Sequence, residues 1–192
     1  MRDACTEEYR RIDKVRSLVL VQAHGGSGAE LTLLEKRRRK GRYTWTETLK
    51  CSAAIGYNGT GKSAEGDGKT PTGDFGIITA FGVKDDPGTA LPYIRITEGL
   101  YCCTDREYYN QIIDAAACGH RCGGEHLIEY VPQYNYAIFF DYNARREYGR
   151  GSAIFLHCAG DKEYTDGCVA ISEENVKRLL SVLDTHSRII IG

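Results

Sequence analysis

The sequence predicts a mainly β fold in one domain with two helices, and three features of the chain indicate it. Tyrosine, which favours strands, occurs 13 times, and glycine, which favours tight turns, occurs 22 times. The apolar residues fall mostly in short runs bounded by glycine-rich or charged segments. A chain of 192 residues has the length of one domain and can bury a sizeable core.

The first strands form a predicted hairpin. Residues 1–14 are charged and lack a period, which is typical of a frayed N-terminal arm or a short helix, and the domain itself is expected over 15–192. Val15–Ala23 and Ala29–Leu34 have the apolar pattern of strands. Gly25–Gly28 lies between them and suits a hairpin turn, because glycine accepts positive φ.

A second hairpin and a long loop follow. The basic run Lys36–Arg42 is predicted as the hairpin tip, with Tyr43–Ile55 as the returning strand. Such a run could grip an anionic polymer, but a solvated turn is the favoured interpretation. Gly56–Gly73 is a glycine-rich loop of a length that is often functional or mobile, and Asp74–Gly82 is the strand that leaves it.

The second half combines helices with buried strands. Glu107–Cys118 is predicted as a helix, Tyr134–Tyr142 and Ser152–His157 as apolar strands, and Arg188–Ile191 as the closing strand. Ser172 has the position of a helix N-cap, with two acidic residues following it. The helix that it begins has an apolar stripe. The stripe consists of Val176, Leu179, Leu180 and Leu183.

Charge and hydropathy exclude two classes of protein. There are 25 Lys and Arg against 26 Asp and Glu, a net charge of −1, which argues against a nucleic-acid binder. No apolar run approaches the roughly 20 residues of a transmembrane segment, and Leu18–Val21 is too short for the core of a signal peptide.

One motif matches the phosphate-binding loop pattern GxxxxGK[ST]. It is Gly56–Ser63, and Ile138–Asp141 resembles the metal-binding strand that often accompanies such a loop. A phosphate loop needs a helix that begins at the lysine, here Lys62. Two glycines and a proline follow within Ala64–Pro71, which is incompatible with a stable helix. We therefore interpret the match as a coincidence.

A second motif points to nucleophilic catalysis. A predicted apolar strand ends at His157, and Cys168 follows eleven positions later, after Gly167 and just before a helix. An imidazole and nearby amide dipoles can favour the thiolate of a cysteine. A sharp turn at the glycine can also aim the N–H groups of 167 and 168 at a developing oxyanion. The alternative is a buried structural cysteine with a core histidine, since both types are often buried.

The order of the motifs resembles a known family. Gly68–Phe75 (GKTPTGDF), then Phe155–His157, then Thr165–Cys168 (TDGC) are similar to the catalytic domain of the L,D-transpeptidases, the YkuD-like family. The similarity covers most of the chain and includes Glu125–Leu127. It implies a curled mixed sheet, barrel-like in form, and a cysteine enzyme that cross-links peptidoglycan stem peptides or exchanges their terminal D-residue.

The resemblance assigns roles to residues of this sequence. It implies Cys168 as nucleophile, His157 as general base, and the backbone at Gly167 and Cys168 as oxyanion hole, without metal or other cofactor. Thr165 would support the site. Asp166 stands where the family commonly has histidine, and either influences His157 or faces solvent as a loop acid, the latter being favoured.

Further substrate contacts follow from the same resemblance. Glu125 and His126 are placed near the cleft, in a loop before a strand, with a plain surface loop as the alternative. Ala170 replaces an arginine that is frequent in the family, and this puts recognition of the substrate carboxylate in doubt. The spacer between His157 and the TDGC segment is also short for the family.

Several functional alternatives stay open. Water as acceptor would make the protein an L,D-carboxypeptidase with the same site, and other classes are a nucleotide-binding protein using Gly56–Ser63 or an inactive wall-binding module. The family implies an extracytoplasmic location, although the chain has no signal peptide. Peptidoglycan stem peptides are the expected partners, and nucleic acid is not. The sequence says nothing of the oligomeric state.

The chain has eight cysteines, and their roles differ. Cys158 follows the proposed base and is expected to pack in the core. Outside the cytoplasm a disulfide could join Cys102 or Cys103 to Cys118 or Cys122 and pin a lid over the cleft. The rival is a metal site with four candidate ligands in an uncommon spacing, and we favour disulfides or free thiols over it. The four are Cys118, His120, Cys122 and His126.

Overall fold

The computed structural model describes residues 1–39 and 42–192. Within them, eight strands close into a mixed, barrel-like sheet. The ring strands are β1 (Ser17–Ala23), β2 (Gly28–Arg39), β3 (Arg42–Ala54), β4 (Gly73–Gly82), β9 (Ala137–Phe140), β10 (Phe155–Cys158), β11 (Val169–Ile171) and β12 (Arg188–Ile191). Their spatial order is β12-β1-β2-β3-β11-β10-β9-β4, and β12 also pairs with β4 to close the ring. The prediction of a mainly β, barrel-like mixed sheet is therefore confirmed.

The N-terminal hairpins follow the sequence pattern, but the second is longer than predicted. β1 and β2 pair antiparallel with Val19 opposite Leu33. β2 then continues to Arg39, so the basic residues from Lys36 belong to a strand and not to a turn. Lys36 is held there because its ammonium donates to the carbonyl oxygens of Tyr9 and Ile12. Lys40 and Gly41, the rest of the predicted tip, lie outside the described residues.

The predicted N-terminal arm forms a short helix, α1 (Arg2–Glu8). Trp45 of β3 donates from Nε1 to the carbonyl oxygen of Thr6 over 3.0 Å. Tyr9, which is buried just beyond the helix, donates to the Asp74 carboxylate of β4 over 2.5 Å. The arm is thus packed against the outside of the barrel.

A helix predicted over Glu107–Cys118 is wrong for most of its length. The middle of this segment forms a strand, β7 (Gln111–Asp114), and only α2 (Ala115–Cys118) is helical. Asn110 has φ +56°, which breaks an α-helix at that point. Asp114 then caps α2 by accepting the N–H of Ala117.

The strand β7 belongs to a small second sheet that sequence reasoning missed. It pairs antiparallel with β6 (Leu100–Cys103), which pairs on its other edge with β8 (Glu125–His126). A further short strand, β5 (Tyr93–Arg95), adds to β4 in parallel. Cys102 of the small sheet and Leu127, which directly follows β8, pack into the apolar cluster that contains Cys168.

The C-terminal elements confirm the sequence pattern. α3 (Glu173–Leu180) begins after Ser172, whose hydroxyl accepts the N–H of Asn175. All four residues of its predicted stripe are buried in the main core. β12 has the predicted bounds, runs parallel to β1 and antiparallel to β4. Among the described residues, no helix combines the length and the apolar character that crossing a bilayer requires.

Candidate active site

A cavity of about 270 Å³ lies where β10 and β11 run side by side. Of the seven residues that the resemblance assigned to the site, five line this cavity together. These five are Cys168, His157, Thr165, Asp166 and Glu125. Residues that sequence analysis did not connect with the site line it as well. They include Lys62, Glu65, Tyr130, Gln133, Tyr134, Ser152, Lys162 and Tyr164.

The strand pair β10 and β11 positions the imidazole and the thiol. The strands are parallel, and His157 stands opposite Ala170, two residues beyond Cys168. β10 is shorter than the predicted Ser152–His157, because Ala153 has φ +53° and leaves the extended conformation. The predicted strand over Tyr134–Tyr142 is likewise shorter, since 133–135 form a 3₁₀ turn before β9.

Gly167 makes the sharp turn that delivers Cys168 to the cavity. Its φ is +146°, and a Cβ atom there would lie 2.8 Å from the carbonyl oxygen of Lys69 and 3.0 Å from Cδ1 of Ile154. Both the backbone conformation and the space thus require glycine. The sequence predicted this turn correctly.

The Cys168 thiol is buried and hydrogen-bonded to backbone. Its Sγ accepts the N–H of Phe155 at 3.3 Å and donates to the carbonyl oxygen of Ala153 at 3.2 Å. Burial raises the pKa of the thiol to about 12, and the Glu125 carboxylate adds to the increase against the opposing effects of the Phe155 N–H and the Lys62 ammonium. The resting thiol is therefore protonated at neutral pH.

The His157 ring is oriented by the residue that follows it. Nδ1 donates to the carbonyl oxygen of Cys158 over 2.8 Å, which leaves the lone pair of the neutral ring on Nε2. Burial lowers the pKa of this imidazole. Among the hydrogen bonds of the described residues, none joins the His157 ring to Sγ of Cys168.

Two threonine hydroxyls hold the main chain at the nucleophile. Thr165 and Thr70 donate to the carbonyl oxygen of Cys168, over 2.7 Å and 3.1 Å. The Thr165 hydroxyl also accepts the N–H of Gly167 at 3.1 Å. This bond occupies one of the two N–H groups that sequence reasoning assigned to an oxyanion hole, and leaves that of Cys168 for the role.

The glycine-rich loop contains its own anion. Residues 56–72, all of them described, contain no helix, as predicted, so the motif lacks the helix that a phosphate loop needs. The Asp67 carboxylate accepts from the N–H groups of Ser63, Ala64 and Lys69 and from the buried ammonium of Lys62 at 2.8 Å. Burial would raise the pKa of Asp67, but these donors hold it well below its usual range.

An acidic side chain faces the thiol across the cavity. Glu125 lies on β8 and not in a loop, and accepts a hydrogen bond from the Tyr134 hydroxyl at 2.6 Å. Burial raises the pKa of this carboxyl to about 7, helped by the negative charges of Asp166 and Glu65. Asp166 itself is exposed at the rim of the cavity, as expected for a loop acid.

The structure does not bring His126 to the cavity. Its ring stacks on Tyr101, with the ring centroids 4.4 Å apart. Nδ1 lies 2.9 Å from the Glu129 carboxylate and Nε2 lies 2.7 Å from the carbonyl oxygen of Glu98. Because strand residues alternate between faces, Glu125 points to the cavity while His126 points away.

Glu65 was not predicted as a site residue, although the length of its glycine-rich loop is typical of functional or mobile loops. Its carboxylate accepts hydrogen bonds from the hydroxyls of Tyr109 and Ser152, and the Tyr109 oxygen accepts the N–H of Gly151. These bonds fix the loop to the chain entering β10. The partners lie 44 and 87 residues away, a distance over which a sequence gives no local signal.

Comparison with known proteins gives one family match. Residues 29–191 match the family model of YkuD, described as the L,D-transpeptidase catalytic domain. None of the curated proteins compared with the chain matches its sequence. The crystal structure of the helical cell shape determining protein Pgp2 from Campylobacter jejuni is similar at 16% identity and a TM-score of 0.47, over 92% of this chain and 47% of that one. The present chain thus spans about half the length of that structure.

Proposed function

The chain belongs to the YkuD family of L,D-transpeptidase catalytic domains, because the family model matches well over half of it, and from this premise we propose that it transfers acyl groups of peptidoglycan stem peptides through a thioester on Cys168. The observation that carries the proposal is the single cavity that both Cys168 and the oriented imidazole of His157 line. A cell-wall substrate further implies action outside the cytoplasmic membrane.

The first half-reaction begins with proton transfer. The Cys168 thiol turns from the Ala153 carbonyl oxygen towards Nε2 of His157, which takes its proton. Sγ then attacks the carbonyl carbon that precedes the terminal D-residue of a tetrapeptide stem. The C–N bond breaks, the imidazolium gives its proton to the leaving amine, and a thioester remains.

Charge in the tetrahedral intermediate needs a hydrogen-bond donor. We assign this role to the N–H of Cys168, because that of Gly167 is held by the Thr165 hydroxyl. Thr165 and Thr70 support the donor from behind by fixing the carbonyl of the same residue. Thr165 is therefore a positioning residue.

The second half-reaction resolves the thioester. The side-chain amine of a second stem attacks the thioester carbonyl, His157 takes the amine proton, and the thiol is restored. The carboxylates of Asp166 and Glu65 line the cavity together with Lys62 and Lys162, and they can attract the amine of an acceptor before it loses its proton. Attack by water would instead release a tripeptide, the L,D-carboxypeptidase outcome.

The products of a tetrapeptide incubation test this proposal. Purified protein is incubated with a tetrapeptide stem, and dimer, exchanged monomer and tripeptide are separated. We expect dimer or exchanged product from the parent and from Cys118→Ala, which removes an exposed thiol on α2, and none from Cys168→Ala. Tripeptide alone would assign hydrolysis. Unchanged stem from a folded parent, with wall binding that survives Cys168→Ala, would instead indicate an inactive binding module.

A further inference from the structure

A cluster of soft and hard ligand atoms lies outside the cavity, at the end of the small sheet. Cys103 is the last residue of β6, Asp105 follows two residues later, and His120 comes just after α2. Sγ of Cys103 lies 3.5 Å from Oδ2 of Asp105 and 3.6 Å from Nε2 of His120, and those two atoms lie 3.1 Å apart. All three atoms thus surround one point.

These three distances match the edges of a zinc tetrahedron. Zinc binds sulfur at about 2.3 Å and nitrogen or oxygen at about 2.0–2.1 Å. With tetrahedral angles, such bonds separate sulfur from nitrogen or oxygen by about 3.5 Å, and nitrogen from oxygen by about 3.4 Å. Each observed distance agrees with its ideal value to within about 0.3 Å, without rearrangement of the side chains.

We propose that Cys103, Asp105 and His120 bind a zinc ion, with Cys122 or water as the fourth ligand. The thiol of Cys103 gives its proton to solvent and binds as thiolate, so the three ligands carry two negative charges that neutralise Zn²⁺. A thiolate with an imidazole selects zinc over Mg²⁺ and Ca²⁺, which prefer oxygen.

Cys122 is a neighbour of this group. The N–H of Gly124 donates to Sγ of Cys122 over 3.3 Å, within the same short segment. Asp105 also accepts the N–H of Gly123 at 2.8 Å. The bond from Gly123 holds the Asp105 carboxylate from outside the cluster and places Cys122, the preceding residue, beside it.

The site differs from the metal quartet considered from sequence. His126 of that quartet uses both ring nitrogens elsewhere, and Cys118 is exposed. Cys103 and Asp105, from another segment, take their places. A bound ion would tie the segment after α2 to β6, and β8 with Glu125 follows directly. Zinc would therefore brace one wall of the cavity.

Metal binding by the untagged, reduced protein tests this inference. We expect one zinc ion per chain, and on replacement by cobalt(II) the near-ultraviolet thiolate charge-transfer band and the visible spectrum of a tetrahedral site. Cys103→Ser and His120→Asn should weaken zinc binding by more than about 100-fold. Cys51→Ser and His126→Gln, which change a thiol and an imidazole outside the cluster, should bind zinc like the parent.

Two results would overturn the inference. One is a folded, reduced protein that retains no zinc and gives no thiolate–cobalt band. The other is a Cys103–Cys122 disulfide that the purified protein contains in place of the metal, seen as a loss of two hydrogens in intact mass. If a ligand variant fails to fold, the cobalt spectrum of the parent still decides, since it requires a thiolate ligand.

Discussion

His157 donates a hydrogen bond from Nδ1 to the carbonyl oxygen of Cys158, its own neighbour on β10, over 2.8 Å. The group that orients the proposed base is therefore backbone, and its position depends on the strand and not on a second side chain. It also fixes the tautomer, because a carbonyl oxygen can only accept. The lone pair on Nε2 is thus available for the thiol proton.

The pH dependence of thioester formation should reflect this buried imidazole. Burial lowers the pKa of His157 below the usual value of about 6.5. Because the neutral ring is the active base, kcat/KM should rise with pH along a limb whose midpoint lies below about 6.5. Rates of acylation by a carbapenem between pH 4 and 9 measure it. A midpoint above about 7 would contradict the assignment.

Substitution of Gly167 should lower the unfolding free energy of the protein. In Gly167→Ala the new Cβ would lie 2.8 Å from the Lys69 carbonyl oxygen at φ +146°. We expect a loss of about 3 kcal/mol in unfolding free energy, from clash and backbone strain together. Gly149→Ala is the control, since Gly149 has φ +83° with nothing within 4 Å, and should lose about 1 kcal/mol. Urea unfolding compares them, and equal losses would argue against the close approach.

Stability should fall with rising pH because of Glu125. The folded protein holds its proton up to about pH 7, whereas an unfolded glutamate loses its proton near pH 4.3. The native state therefore binds more protons between these values, and unfolding free energy decreases as pH rises through this window. Glu125→Gln keeps an acceptor for Tyr134 but cannot ionise. It should gain about 2 kcal/mol over the parent on going from pH 5 to pH 8, and a pH-independent difference would be inconsistent with the raised pKa.

The same variant bears on the nucleophile. The Glu125 carboxylate raises the pKa of the Cys168 thiol. Its removal in Glu125→Gln should shift the pH profile of Cys168 alkylation towards lower pH. Iodoacetamide labelling followed by peptide mapping measures the rate at this cysteine alone. A profile unchanged from the parent would mean that the two groups do not interact.

The loop anion should be important for stability. Asp67→Asn leaves the Lys62 ammonium, whose side chain is 2% exposed, without its charged partner. We expect a loss of about 3 kcal/mol. Asp85→Asn, which removes an ion pair of a carboxylate that is 97% exposed, should cost less than about 0.5 kcal/mol. Thermal and urea unfolding compare the two variants. An equally small loss in both would show that Asp67 does not stabilise the loop.

The elements predicted correctly are those with a local signal. Examples are the α3 stripe with its Ser172 cap, the apolar run of β12 and the glycine turn before Cys168. Each is determined by residues that lie close together in the sequence. The small sheet was not predicted, because its strands are short and pair with segments distant in sequence. Cys102, for example, pairs with Ile112 and with Glu125. Alanines at 115–117 favoured a helix, and tertiary pairing overrode it upstream.

The candidate site divides in the same way. Cys168 and His157 could be predicted from the order of the motifs along the chain, because the family has its motifs in the same order. The Cys158 carbonyl and the bond from Gly167 to Thr165 involve backbone groups, which every residue has, and so no residue type marks them. Cys103 and His120 are 17 residues apart, and only the course of the chain around β7 and α2 brings them together.

The most direct test asks which sulfur carries the acyl group. Protein quenched in acid during turnover of a tetrapeptide stem, or after reaction with a carbapenem, is digested and its adduct located by mass spectrometry. The account predicts a thioester on Cys168 alone, absent after Cys168→Ala in a protein that remains folded. An adduct on any of the other seven cysteines, or undiminished adduct in that variant, would contradict it.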